Sequence, residues 1–226
     1  MKGAGHIGTG LKRVGNSAMN YATEQEEFWA GEFGNAYVER SKDAGFVAAD
    51  TAFFARVLGR TSGIRSVIEF GANVGLNLLA IRNLLPEAEL SGVEINALAA
   101  NHLRSIPGLT VYERSLIGFE PDRTRDFVLT KGVLIHLAPA VLPDIYDLLY
   151  RSCARYICVA EYYNPTPVEI AYRGHAGKLF KRDFAGELLE RYADLSLVDY
   201  GFVYRRDPNF RQDDLTWFLL EKLGQA

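Results

Sequence analysis

The sequence predicts an α/β protein with a doubly wound, mostly parallel sheet of seven strands, a helical extension at the N-terminus and an antiparallel hairpin at the C-terminus. Three observations support this prediction. Short apolar segments alternate with amphipathic segments from Arg65 onward, a glycine turn follows the first apolar segment, and two strand-like segments close the chain with no helix between them. Such alternation indicates parallel strands with helices on both faces of the sheet.

The composition fits one globular domain. The chain has 226 residues, of which 48% are hydrophobic, and this is enough for a full core. The formal net charge is −3 and there is no long run of Lys or Arg. We therefore expect no binding to nucleic acid or to a membrane, and no apolar run approaches the length of a membrane span. The composition leaves the oligomeric state open.

The two cysteines are the candidates for a metal site or a redox pair. Cys153 and Cys158 lack the spacing of metal ligands, and no pair of histidines stands near them. We therefore predict no metal site and two buried, reduced thiols, which suit a cytoplasmic protein.

The first 60 residues precede the alternating pattern and divide into two parts. Residues 1–20 hold five glycines and show no apolar periodicity, so we expect a flexible arm. Residues 21–60 are expected to form a helical cap or lid, and residues 61–226 to form the α/β domain.

Two helices are predicted in the cap. Thr23 and Glu26 form a capping box for a helix that begins at Glu24. This helix is expected to be interrupted at Gly31–Gly34 and to resume through Tyr37. A second helix is predicted over Ser41–Leu58, where aromatic and aliphatic residues recur at helical spacing.

The α/β domain is predicted from the order of its segments. Five strands are expected at Val67–Phe70, Leu90–Glu94, Thr110–Glu113, Phe127–Lys131 and Tyr156–Glu161. Helices are expected at Leu76–Leu85, Ala97–Ser105 and Ala140–Arg151, the last with Pro139 just inside its start. The closing hairpin is expected from Leu195–Tyr204 and Leu215–Leu220.

The segment Ser66–Asn77 is the most informative part of the chain. Its strand ends near Glu69, a turn with Gly71 and Gly75 follows, and Leu76 begins an amphipathic helix. A glycine lets the backbone turn tightly and approach a ligand, and the N-terminus of the helix favours an anionic group. This pattern predicts a nucleotide-type cofactor site at the carboxyl edge of a parallel sheet.

The spacing of the turn indicates which cofactor fits. The dinucleotide fingerprint G-x-G-x-x-G fails because Asn73 stands where the second glycine belongs. Glu69, Gly71 and Gly75 fit the looser turn of S-adenosylmethionine-dependent methyltransferases. Glu94, at the end of the next strand, supports this cofactor because a carboxylate there can accept both ribose hydroxyls. The alternative is an ordinary α/β turn with a surface glutamate.

Further segments extend the pattern beyond the turn. They are Phe28–Gly34 with Tyr37, Thr130–His136, Tyr163–Glu169, Arg173–His175, Lys178–Phe180, Arg182–Phe184, Asp199–Phe202 and Thr216–Phe218. Together with Glu69–Asn77 they resemble the pseudaminic acid biosynthesis-associated methylases, and the resemblance extends from Glu26 to the end of the chain.

The resemblance implies a class I methyltransferase with a Rossmann-like fold and S-adenosyl-L-methionine as its cofactor. The family name records an association with sugar biosynthesis and does not establish a substrate. Together with the glycine turn, the resemblance places the cofactor against Trp29, Phe33, Tyr37, Glu69, Gly71, Ala72, Asn73, Gly75, Glu94, Ile95, Ser115, Leu116, Lys131 and Gly132.

The loop after the fourth predicted strand is one place for catalytic groups, because ligands bind at the carboxyl ends of the strands. It lacks the Asn/Asp-Pro-Pro-Tyr type of motif that grips an amino nitrogen in nucleic-acid methyltransferases, and this argues against base methylation. His136 is a candidate general base, since the pKa of a histidine lies near neutrality. The alternative is a histidine that only bonds to backbone.

The long loop after the fifth predicted strand supplies the other catalytic candidates. Arg173 could bind a carboxylate or phosphate of the substrate in a bidentate manner. His175 is the rival general base, and Tyr162 is a further candidate. The aromatic residues Trp29 and Phe33 of the cap could close over the cofactor as a lid, or could simply pack between helices.

These patterns and the resemblance predict a methyltransferase that uses S-adenosylmethionine on a small, anionic metabolite, with a sugar derivative as one candidate, at a hydroxyl or an amine. A second hypothesis keeps the cofactor but has it cleaved or cyclised without methyl transfer. A third is a cofactor-binding module without catalysis. The sequence does not identify the acceptor.

Overall fold

A computed structural model of the chain describes residues 21–40 and 44–224. The predicted arm at residues 1–20 and the first three residues of the predicted helix Ser41–Leu58 lie outside the described residues. No helix within the described ranges is both long and apolar enough to cross a membrane.

Three helices form the cap, which we define as residues 21–40 and 44–58. They are α1 (Glu24–Ala30), α2 (Glu32–Arg40) and α3 (Ala44–Leu58). The predicted capping box is confirmed, because the Thr23 side chain accepts from the amide of Glu26 and the Glu26 carboxylate accepts from the Thr23 amide. The first helix ends at Gly31, where the chain turns before α2.

Seven strands form the main sheet: β1 (Ser66–Phe70), β2 (Glu89–Glu94), β3 (Leu109–Glu113), β4 (Arg125–Lys131), β5 (Cys153–Glu161), β8 (Leu195–Val203) and β9 (Leu215–Lys222). Their order across the sheet is β3-β2-β1-β4-β5-β9-β8. The pairs among β1 to β5 are parallel, and β9 runs antiparallel to β5 and to β8. The predicted fold class, with its closing hairpin, is therefore confirmed.

Helices cover both faces of this sheet. They are α4 (Leu76–Leu84), α5 (Ala97–Arg104), α6 (Leu142–Ser152) and α7 (Phe184–Arg191). One core lies around Phe70 and Ile157, the other around Phe54 and Trp217. Cys153 and Cys158 are free and buried in these cores, as predicted.

Two local predictions need correction. The helix expected from Ala140 begins at Leu142, because Pro139–Val141 form a short 3-10 turn before it. The loop after β5 is not a plain loop. It contains a small hairpin of β6 (Val168–Glu169) and β7 (Phe180–Lys181), and it leads into helix α7, which the sequence analysis missed.

The strand order brings the ends of several strands to one edge of the sheet. The carboxyl ends of β2, β1, β4 and β5 lie along this edge in that order, since these strands are parallel neighbours. The N-terminal end of β9 lies at the same edge, because Thr216 pairs with Glu161 at the end of β5. Strand order reverses between β1 and β4, which is where such sheets bind ligands.

Candidate functional site

A cavity of about 920 Å³ opens at this edge of the sheet, beneath the cap. We call the part lined by Gly71, Ala72, Asn73, Glu94 and Lys131 the cofactor half, because the sequence predicts the cofactor there. For reference, we call the part lined by Tyr162, Tyr172, Arg173, Arg211 and Asp213 the acceptor half, where the sequence predicts the catalytic and substrate-binding groups. The volume is large enough for two small ligands side by side.

The glycine turn forms the floor of the cofactor half. The amides of Gly71 and Ala72 both donate to the carbonyl of Val93 on β2, at 2.9 and 3.0 Å. Gly71 and Gly75 have φ values of +75° and +85°, and Asn73 has a φ of +46°. The left-handed conformations at positions 71 and 75 explain why glycine stands there, because residues with a Cβ atom are strained in this region.

Glu94 lies beside this turn at the end of β2. Its Oε2 accepts from the amide of Asn73 at 2.8 Å, and its Oε1 accepts from the amide of Asn96 at 2.8 Å. Burial raises the pKa of this carboxyl, and the backbone amides oppose that effect. Each carboxylate oxygen can still accept a second hydrogen bond, so Glu94 is fixed in place and able to bind a pair of hydroxyls.

Asn96 fastens the cap to the rim of the cofactor half. Its Nδ2 donates to the carbonyl of Trp29 at 3.1 Å and to Oδ1 of Asn35 at 2.9 Å. Its Oδ1 accepts from the amide of Ala99 and so caps helix α5. The same side chain therefore joins α5, the helix after Glu94, to helices α1 and α2 of the cap.

A chain of polar side chains runs beneath the other end of the cofactor half. The Lys131 ammonium lies 2.8 Å from Oδ1 of Asp50 and donates to Oδ1 of Asn77 at 3.2 Å. Asn77 donates in turn to Oε1 of Glu69 at 2.6 Å. The Lys131 and Asp50 side chains are only 13% and 7% exposed. The pair is thus largely shielded from water, yet both residues line the cavity.

Glu69 itself is completely buried and does not line the cavity. Its Oε2 has no hydrogen-bond partner among the described residues. Burial raises its pKa to about 8, although the bond from Asn77 and the charge of Lys131 oppose this. Glu69 therefore carries a proton at neutral pH and supports the turn from below.

Aromatic side chains of the cap meet rings from the segments after β4 and β5 at the cavity wall. The Trp29 ring lies 4.6 Å from the His136 ring and 5.4 Å from the Tyr37 ring, measured between centroids. His136 lies in turn 4.7 Å from Tyr172 of the loop after β5. Phe33 stacks on Phe28 outside the cavity. Part of the cap's aromatic set thus faces the cavity and part packs between helices.

The two candidate histidines occupy different environments. His136 lines the cavity but is buried, and its Nδ1 lies 2.7 Å from the carbonyl oxygen of Lys178. Burial lowers the pKa of His136 to about 4, so the ring is neutral at physiological pH. His175 is exposed, lies beside the rings of Phe28 and Phe33, and does not line the cavity.

The acceptor half carries groups of both charges. The Tyr162 hydroxyl donates to Oδ2 of Asp213 at 2.9 Å. Arg173, with a φ of +50°, places its guanidinium 5.7 Å from the centroid of the Tyr172 ring. Arg205 and Arg211 reach the cavity from the loop between β8 and β9.

The structure divides the residues predicted from the sequence into two groups. Those that line the cavity are Trp29, Tyr37, Gly71, Ala72, Asn73, Glu94, Ile95, Leu116, Lys131, Gly132, His136, Tyr162 and Arg173. Those that do not are Phe33, Glu69, Gly75, Ser115 and His175. Ser115 instead donates its hydroxyl to Glu26 and ties the cap to the loop after β3.

Sequence analysis did not identify several of the polar lining residues. Asp50 and Asn77 lie on helices, and Arg205, Arg211 and Asp213 lie between β8 and β9. The spacing of Asn77 after the glycine turn was the one local signal available, because a residue in the first turn of that helix faces the cofactor half.

The fold is similar to those of solved methyltransferases. The 1,6-didemethyltoxoflavin-N1-methyltransferase of Burkholderia thailandensis, solved with 1,6-didemethyltoxoflavin and S-adenosylhomocysteine, matches with a TM-score of 0.64 and 13% identity over 88% of this chain and 87% of that chain. An S-adenosylmethionine-dependent methyltransferase of Leishmania major matches with a TM-score of 0.64 and 14% identity over 87% and 81% of the two chains. A sugar N-methyltransferase of Streptoalloteichus matches with a TM-score of 0.59 and 17% identity over 97% and 100%.

These similarities show the class I methyltransferase fold. Comparison of the sequence with protein-family models and with curated proteins found no match. The resemblance to the pseudaminic acid-associated methylases therefore receives no separate support from these comparisons.

Proposed function

We propose that this protein is an S-adenosylmethionine-dependent methyltransferase that acts on a small, anionic metabolite. The observation that carries the proposal is the buried Glu94 carboxylate, which two backbone amides hold beside the glycine turn. A carboxylate at the end of the second strand is the group that binds ribose hydroxyls in nucleotide-binding sheets. The solved neighbour from Burkholderia thailandensis, with S-adenosylhomocysteine bound, supports this choice of cofactor.

The residues of the cofactor half fit both ends of this cofactor. Glu94 suits the ribose, and the Asp50–Lys131 pair suits the α-amino and α-carboxylate groups of the methionine end by charge. Glu94 ends β2 and Lys131 ends β4, with β1 between them, so the two lie about 10 Å apart at the usual strand spacing. This separation suits a ligand with a ribose at one end and an amino acid at the other.

When bound, this cofactor supplies a methyl group on a positively charged sulfur. The protein then has to hold the acceptor in line, exclude water and provide for the acceptor's proton. Trp29, His136 and Tyr172 pack together at the cavity wall and offer ring surface there, which limits the access of water. This arrangement serves methyl transfer better than cofactor hydrolysis.

The arginines of the acceptor half favour an anionic acceptor. No carboxylate among the described residues forms an ion pair with Arg173 or Arg211, whereas Arg205 lies 3.4 Å from Asp214. Two guanidinium groups without carboxylate partners at the cavity wall suit a carboxylate or phosphate. The sugar N-methyltransferase neighbour and the resemblance to methylases of a sugar pathway make a sugar acid the acceptor class we propose.

Calorimetry tests the cofactor part of this proposal. The purified protein is expected to bind S-adenosylmethionine and S-adenosylhomocysteine and not to bind NAD. Tighter binding of NAD, or no binding of either sulfur compound, would overturn it. Binding without any turnover on a metabolite extract would favour the non-catalytic module, and cleavage products without methylated product would favour non-methyl chemistry.

A further inference from the structure

The cofactor half and the acceptor half lie at the ends of different strands. The cofactor half spans the ends of β2, β1 and β4, and the acceptor half begins at Tyr162, directly after β5. Asp213 stands three residues before Thr216, which pairs with Glu161 at the end of β5. The loop before β9 therefore returns to the end of β5 and places Asp213 beside Tyr162.

Four carboxylates of the described residues line the cavity, and three of them are already bound. Glu26 accepts from the backbone amides of the capping box and from Ser115. Asp50 is paired with Lys131, and Glu94 accepts from two backbone amides. Asp213 has one oxygen, Oδ2, bonded to Tyr162, while the other has no partner among the described residues.

The histidines are poorly placed to accept a proton. His136 is buried against the rings of Trp29 and Tyr172, and its Nδ1 is engaged with the carbonyl oxygen of Lys178 at 2.7 Å. His175 does not line the cavity. Glu161 is fully enclosed and accepts from the amides of Val133 and Leu134, so it serves to hold the loop after β4.

We propose, on the basis of the proposed function, that Asp213 is the general base that accepts the proton of the acceptor's N–H or O–H group, and that Tyr162 holds Asp213 in position. The acceptor loses this proton to the Asp213 carboxylate and forms a bond to the methyl carbon. The carbon–sulfur bond of the cofactor breaks, and its electron pair remains on sulfur.

The surroundings of Asp213 support this role. Burial and the neighbouring carboxylate raise the pKa of Tyr162, so its phenol keeps its proton and remains a donor to Asp213. Arg173 and Arg211 line the same half and can hold the acceptor's anionic group. Tyr37 and Tyr172 line it too and offer ring surface to the body of the acceptor.

The test uses the full chain, S-adenosylmethionine labelled with ¹⁴C in the methyl group, and a cell metabolite extract as the acceptor source. Initial rates of label transfer are compared for wild type, Asp213→Asn, Tyr162→Phe and Asp207→Asn. Asparagine preserves the size of Asp213 and its bond from Tyr162 but cannot accept a proton. Asp207 is the matched control, since it lies in the same loop, bonds only to backbone amides there and does not line the cavity.

We expect Asp213→Asn to lower the transfer rate by ~10²–10⁴-fold. Tyr162→Phe should lower it less, and Asp207→Asn should match wild type. Melting temperature and affinity for S-adenosylhomocysteine should stay near wild type in Asp213→Asn, which separates a role as base from a structural role. If the rate for Asp213→Asn lies within threefold of wild type, the assignment of Asp213 as the general base is overturned, while the proposed function is unaffected. Absence of labelled product with wild type that binds the cofactor overturns the proposed function, and the assignment with it.

Discussion

Replacement of Glu94 by glutamine is expected to weaken cofactor binding while leaving the protein folded. In the variant, one carboxylate oxygen becomes an amide nitrogen and the negative charge is lost. At least one charge-assisted bond to a ribose hydroxyl is removed, worth about 1.5–3 kcal/mol. This corresponds to a loss of affinity of about 10- to 150-fold.

A second effect of the same substitution falls on stability. The new amide nitrogen faces the backbone amide of either Asn73 or Asn96, so one buried donor loses its acceptor. The cost is about 1–3 kcal/mol of unfolding free energy, and it applies with or without ligand. The melting temperature should therefore fall in addition to the loss of affinity.

Calorimetry with two ligands isolates the ribose contribution. Glu94→Gln should weaken S-adenosylhomocysteine, but should hardly change the affinity for its 2′,3′-dideoxy analogue. Glu113→Gln is the matched control, because Glu113 pairs with Glu94 across β2 and β3 but bonds to Arg104 on the surface. Folded Glu94→Gln protein that binds S-adenosylhomocysteine within twofold of wild type would refute the ribose assignment.

Three further predictions concern the cofactor half. Asp50→Asn should weaken S-adenosylhomocysteine about tenfold or more and leave 5′-methylthioadenosine, which lacks the amino acid end, unchanged in calorimetry; equal losses for both ligands would contradict this role. Gly71→Ala should lower the melting temperature, because φ is +75° and the added Cβ would lie 2.5 Å from Cγ2 of Val133. Adding Val133→Ala to this variant should restore part of the lost melting temperature. If the double variant recovers none of it, backbone strain alone explains the loss. The pKa of Glu69 is raised from its usual 4.5 to about 8 in the folded protein. The stabilisation that protonated Glu69 contributes is therefore complete below pH 4.5 and is lost as the pH rises to about 8. The melting temperature of wild type should thus fall across this range relative to Glu69→Gln, and parallel curves would refute the assignment.

The elements that were predicted well from the sequence are determined by residues close together in the chain. The strand before Gly71, the helix from Leu76 and the capping box at Thr23 each follow from residues a few positions apart. Helix α7 was missed although Asp183 caps it and Phe184 and Leu188 are buried at helical spacing. The polar segment before it suggested a loop, and that segment folds as a small hairpin only through the pairing of β6 with β7.

The site residues that were missed depend on contacts distant in sequence. Asp50 reaches the cavity because α3 packs on α4 and its carboxylate meets Lys131, 81 residues away. Asp213 meets Tyr162, 51 residues away, only because β9 returns antiparallel to β5. No spacing pattern contains such pairs. Glu94 could be predicted because the strand–helix–strand unit fixes its distance from the turn.

The most direct test of methyl transfer is a mass balance with S-adenosylmethionine that carries a CD₃ group. The purified protein is incubated with this cofactor and a metabolite extract, and both products are quantified by mass spectrometry. We predict equal molar amounts of S-adenosylhomocysteine and of a metabolite heavier by one CD₃ group that carries a carboxylate or phosphate. Cofactor consumed without a CD₃-bearing metabolite, or with 5′-methylthioadenosine as the adenosine product, would contradict the account.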